Sequence, residues 1–134
     1  LFTTAFAKRG LAAEFGMSWL LPRVVGHANA MDLLLSARTI GAEEALQLGL
    51  INRIFPPDRL REETLAYARK MVTWCSPAAM RHIKQQTWDT PFQSLQESVR
   101  DANQIMLETN RSPDFAEGTA SFHEKRPPNF QPID

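Results

Sequence analysis

The chain has 134 residues, 43% of them hydrophobic and 22% charged, with fifteen Lys and Arg against fifteen Asp and Glu. That composition excludes a disordered chain and suffices for one domain with a core of its own. Zero net charge excludes a general affinity for nucleic acid or anionic membrane, so an anionic ligand has to be held by local charges.

Phe2 to Phe6 is β-prone and predicts a strand or extended segment, broken by Lys8-Arg9-Gly10. Charge follows this stretch instead of preceding it, so it is not a signal peptide. With no initiator Met, the chain reads as cut from the middle of something longer. A short helix is predicted from Gly16 to Leu21, ending at Pro22, because proline lacks a donor and restricts the residue before it. Ala28 to Ala37 carries Met31, Leu34 and Leu35 on one side, the spacing of a buried helical stripe. Ala42 to Leu48 reads as another helix, with Gly49 as its left-handed terminator.

Leu50 to Phe55 is predicted as a strand bounded by Pro56-Pro57. Asp58 is then a good N-cap for a long helix with Leu60, Tyr67, Met71 and Cys75 on one face, which makes Cys75 a packed core thiol. Ser76-Pro77, Thr90-Pro91 and Ser112-Pro113 each place a hydroxyl at an N-cap and proline at the first helical position. Gln93 completes a capping box with Thr90. Phe92, Leu95, Val99, Ala102 and Met106 then form a regular seam that wants another helix against it. Asp58 to Arg126 is thus almost wholly helical, and Pro127 to Pro132 leaves as an extended arm.

The lone Cys75 forms no internal disulfide, which fits a reducing, cytoplasmic compartment. His27, His82 and His123 lie far apart, so no metal site is expected. The apolar runs are far shorter than a membrane span. Glu14, before the apolar helix, is either an acid favoured by the helix dipole or a general base tuned by apolar neighbours. Trp19, Leu20 and Leu21 either wall a pocket or simply pack. Phe122 and Lys125, three residues apart, share one face of the last helix.

Leu21-Pro22-Arg23-Val24-Val25-Gly26, Leu33 to Arg38, Ala42-Glu43-Glu44-Ala45 with Gly49-Leu50-Ile51-Asn52, Ser76-Pro77-Ala78 and Glu117 to Arg126 occur in a fixed order. Together they resemble the later half of the enoyl-CoA hydratase/isomerase (crotonase) superfamily. The resemblance implies an α/β, crotonase-like ββα spiral, of which this chain is the mostly helical C-terminal part. Residues 1–57 would end the spiral core. Residues 58–134 would form a helical region for oligomerisation, as a homotrimer or hexamer, and for contact with coenzyme A.

The family reaction passes through a thioester enolate, with coenzyme A part of the substrate and no separate cofactor. Glu14 aligns with the carboxylate that isomerase-type members use to shuttle a proton between the α and γ carbons. Ala5-Phe6 falls where hydratase-type members carry a second glutamate, which favours isomerisation. The oxyanion-hole loops of the family lie upstream of this sequence. Phe122 and Lys125 match residues that contact the adenine and phosphate end of coenzyme A, a task Arg126 could share. The rival reading is a non-catalytic acyl-CoA-binding or assembly protein on the same fold.

Overall fold

The structure is a computed structural model that describes residues 1–133. It comprises two compact units, Leu1–Leu60 and a second beginning at Arg61. Among the described residues the regular elements are helices: α1 (Met17–Val25), α2 (His27–Ser36), α3 (Ala42–Gln47), α4 (Leu60–Trp74), α5 (Pro77–Asp89), α6 (Leu95–Thr109) and α7 (Pro113–Glu124), with 3-10 turns at Ala7–Arg9 and Thr90–Phe92.

The first unit owns the buried apolar core. Leu21 and Val25 of α1 meet Ala30 and Leu33 of α2, Ile40 of the following segment and Ala45 of α3. Ala30 and Ala45 are wholly buried, and such small residues let helix backbones approach closely. The stripe of α2 is therefore Ala30, Leu33 and Ala37, while Met31 and Leu35 of the expected stripe are exposed. Helix α1 runs through Pro22 to Val25 instead of stopping. Proline removes one helical hydrogen bond, but Leu21 and Val25 are buried at 3% and 5% exposure, each worth roughly 1.5–3 kcal/mol.

Neither expected strand forms. Phe2 pairs with Ile40 in an isolated antiparallel bridge, with N–H to O=C distances of 3.0 and 2.9 Å. The adjacent threonines turn to α2 instead: the Thr3 hydroxyl donates to the Ala37 carbonyl at 3.1 Å and the Thr4 hydroxyl to the Leu33 carbonyl at 2.9 Å, which also accepts the Ala37 N–H at the helix end. Leu50 to Phe55 has no partner strand among the described residues and runs as an irregular segment. Gly49 does terminate α3. At φ +75° it lets the Leu50 N–H reach the Ala45 carbonyl at 2.8 Å and its own N–H reach Leu46 at 3.0 Å.

The second unit is mainly helical as far as Glu124, yet among its described residues only Ser121 is buried. A core of its own was expected of the whole chain, and it is confined to the first unit. On α4, Leu60, Tyr67 and Met71 are exposed, and Cys75 just past its end is exposed as well, not packed. Helix α4 starts at Leu60, two residues after Asp58.

Ser76 and Ser112 cap α5 and α7 as expected, accepting from the Ala79 and Phe115 N–H groups at 3.1 and 3.2 Å. Thr90 does not. Its hydroxyl donates to Gln86 O at 2.7 Å, closing α5, and the capping box of α6 is Ser94 with Glu97. Gln93 instead bonds Asp101 and Ser98. No helix among the described residues is long and apolar enough to cross a membrane.

Candidate functional site

Glu14 lies at the end of an irregular stretch, three residues before α1 begins, and its side chain is exposed. Its carbonyl accepts the Met17 N–H at 3.0 Å. The next two residues are both left-handed, Phe15 at φ 54° and Gly16 at φ 72°. Glycine takes that conformation without cost, whereas a bulky aromatic is strained there. Phe15 is also 88% exposed, so burial of its ring does not compensate. Strain of this kind concentrates at functional turns. With Gly16 at the N-cap, no side chain covers the first N–H groups of α1.

The neighbours divide. Leu21 belongs to the core, while Trp19 and Leu20 are half-buried. The Arg23 guanidinium stacks over the Trp19 ring at 3.7 Å and donates to its carbonyl at 2.9 Å, which fixes that indole on the exposed side of α1. Arg38 forms a second anchor, pairing with Asp32 at 2.7 Å and Glu44 at 2.6 Å. The guanidinium holds the Glu44 carboxyl below the usual range, and the two carboxylates push Arg38 up.

Phe122 and Lys125 belong to the second unit, at the end of α7. They do not share a helical face. The helix stops at Glu124, and Lys125 is its left-handed C-cap at φ 55°. Its N–H reaches the Phe122 carbonyl at 3.3 Å, and the next N–H, of Arg126, reaches Ser121 at 3.1 Å. Phe122 is 79% exposed and meets His123 edge-to-face at 5.9 Å. Among the described residues no ion pair engages the Lys125 ammonium.

Arg126 is committed elsewhere. It forks onto Glu117 at 2.6 and 3.1 Å and reaches Glu124 at 2.5 Å, so its charge is already matched. The arm is tied to α7 by backbone donors: Asn129 N–H to Glu117 at 2.6 Å and Gln131 N–H to Asp114 at 3.3 Å. Asp114 also accepts the Ser76 hydroxyl. The Arg126 fork and the Asn129 N–H hold the Glu117 carboxyl down to about 2. This double anchorage of the arm was missed in the sequence. Its signal was present as two acids one helical turn apart, facing an extended, proline-rich tail.

Helices α5, α6 and α7 and the arm enclose a groove of about 850 Å³. Ile83, Ile105, Met106, Phe115, Phe122 and Phe130 give it a mainly apolar lining, and His82 also borders it. The groove thus carries one of the expected ligand residues, Phe122, at its edge. Among the described residues no cluster of three His, Cys, Asp or Glu could hold a metal.

Residues 1–132 match the family described as enoyl-CoA hydratase/isomerase. A "Probable enoyl-CoA hydratase" of Rhizobium meliloti is 37% identical over 122 residues, covering 91% of this chain and 47% of that protein. A 1,2-epoxyphenylacetyl-CoA isomerase of Escherichia coli is 33% identical over 135 residues, covering 96% and 49%. The crystal structure of a probable enoyl-CoA hydratase/isomerase from Mycobacterium abscessus superimposes with a TM-score of 0.91 at 30% identity, covering 96% of this chain and 52% of that one. The chain spans about half the length of the curated relatives it matches.

Proposed function

Because this chain belongs to the enoyl-CoA hydratase/isomerase family, we propose that the whole protein is an acyl-CoA enzyme working through a thioester enolate, with isomerase-type chemistry. The chain is the mostly helical C-terminal part of a crotonase-like fold. Glu14 is its base. The carboxylate takes a proton from the α carbon of a 3-enoyl thioester, and the electron pair moves onto the carbonyl oxygen. The same carboxylic acid returns the proton at the γ carbon, leaving a 2-enoyl thioester and no net change in atoms or charge. Donors to the oxyanion supply the largest stabilisation in such a step.

The observation that carries this reading is the setting of Glu14: an exposed carboxylate on the strained Phe15–Gly16 turn, inside a whole-chain family match. Ala5 and Phe6, both apolar, favour isomerisation over two-glutamate hydration. Hydration is the competing reading, because hydratase names recur among the relatives. In the same proposal Phe122 and Lys125 meet the adenine and phosphate end of coenzyme A. The second unit serves homotrimer or hexamer assembly, and the protein works in the cytoplasm on fatty-acid thioesters.

The test supplies the full-length protein separately with 3-enoyl-CoA and 2-enoyl-CoA. Double-bond migration without water addition supports the reading. Hydration of 2-enoyl-CoA without migration favours the hydratase reading, and binding with neither conversion favours a non-catalytic acyl-CoA-binding protein.

A further inference from the structure

We propose that the Glu117–Arg126 ion pair is a positioning element that fixes the left-handed turn at Lys125 and so presents the Phe122 ring and the Lys125 ammonium to the nucleotide end of coenzyme A. This inference rests on the reading above that Phe122 and Lys125 meet that end.

The geometry converges on the turn from both sides. Upstream, the end of α7 holds Lys125 through the Phe122 carbonyl. Downstream, Arg126 is locked by three bonds to two carboxylates of the same helix, Glu117 and Glu124. Lys125 is pinned between these attachments at φ 55°, a left-handed conformation that a non-glycine residue adopts only at a cost. The compensating interactions are the Arg126 fork and the capture of the Asn129 N–H by the same Glu117 carboxylate.

The charges divide the labour. Arg126 is matched by two acids, so it contributes position and little free positive charge. Lys125 is exposed and is left to meet an anion. Lysine suits that role because a compact ammonium on a flexible stem gains most when its backbone is already held. A forked guanidinium–carboxylate pair suits the positioning role because two parallel hydrogen bonds define an orientation, which a single contact does not.

The arm couples the same pair to the aromatic side. Beyond Asn129, Phe130 lies against α7 near Gly118, whose added Cβ would stand 3.7 Å from the ring. Phe130 and Phe122 line one groove, so the pair that holds the arm also sets the wall beside the Phe122 ring.

The test measures the affinity of the full-length protein for coenzyme A and for pantetheine, its nucleotide-free fragment. Glu117→Gln is expected to weaken coenzyme A about tenfold, the loss of one charge-assisted phosphate contact, and to leave pantetheine within about twofold. Arg126→Lys, which keeps the charge and loses the fork, is expected to weaken coenzyme A by less, and it carries the comparison if Glu117→Gln does not fold. In a Phe122→Ala/Lys125→Ala background Glu117→Gln is expected to add nothing. If Lys125→Ala and Phe122→Ala weaken coenzyme A selectively while the Glu117 and Arg126 variants weaken both ligands equally, or neither, the positioning role is overturned and the nucleotide contact stands. If Lys125→Ala and Phe122→Ala leave coenzyme A affinity unchanged, the nucleotide contact fails and the positioning role falls with it.

Discussion

Arg126 forks onto Glu117 across nine residues, Nη1 to Oε1 at 2.6 Å and Nη2 to Oε2 at 3.1 Å, and the same Oε1 accepts the Asn129 N–H at 2.6 Å. One carboxylate thereby joins the helix end, the left-handed turn and the arm.

That junction has a pH signature. The Glu117 carboxyl is lowered from 4.5 to about 2 by the Arg126 fork and the Asn129 N–H. A folded value below the unfolded one contributes stability that is fully present above about pH 4.5 and lost as pH falls through about 2. Carboxyl NMR of Glu117 is expected to titrate near 2, with the Asn129 amide losing exchange protection over the same range. Titration at 4.5 would show that the fork does not hold in solution.

The start of α6 offers a sharper local check. Ser94 accepts the Glu97 N–H at 3.3 Å, and the Glu97 carboxylate accepts the Ser94 N–H at 2.7 Å. Ser94→Ala should cost about 1 kcal/mol, read as faster hydrogen exchange in the first turn of α6. Thr90→Ala, which removes a bond at the end of α5, should leave that turn unchanged.

The core of the first unit is small, so single truncations there weigh heavily. Leu33 is 4% exposed, and Leu33→Ala is expected to cost about 2–5 kcal/mol in urea unfolding. Leu35, 68% exposed, should give the smaller effect on truncation. The reverse order would place the α2 stripe where the sequence periodicity alone put it.

Residues 1–134 prepared alone should associate or precipitate and show little catalysis. Leu95, Phe122, Phe92 and Val72 are each at least 70% exposed, and in the proposed mechanism Glu14 would work without the upstream oxyanion donors that supply the largest stabilisation. Light scattering and an isomerase assay check both statements. A monodisperse, fully active preparation would contradict them.

What could be read from the sequence was local. Ser76-Pro77 and Ser112-Pro113 announce helix starts because cap and proline act within one turn, and Gly49 announces a stop because its left-handed φ is a property of the residue. What failed depended on distant partners. Leu50 to Phe55 has strand composition and, among the described residues, no strand to pair with. Pro22 is a helix breaker in isolation, yet Leu21 and Val25 are buried around it. Thr90-Pro91 carries the same signature as the true caps, but the Ser94–Glu97 box four residues on is reciprocal and takes the helix start.

The site follows the same division. Ordered blocks of sequence identified the family and brought Glu14, Phe122 and Lys125 into view. The left-handed backbone at Phe15 and Lys125, and the anchorage of the arm by Asp114 and Glu117, are properties of the folded chain.

The most direct measurement is the turnover of 3-enoyl-CoA to 2-enoyl-CoA by the full-length protein carrying Glu14→Gln. Glutamine keeps the size of the side chain and removes its basicity, so kcat should fall about 100-fold or more while thioester binding persists. Unchanged turnover would contradict the assignment of Glu14 as the base.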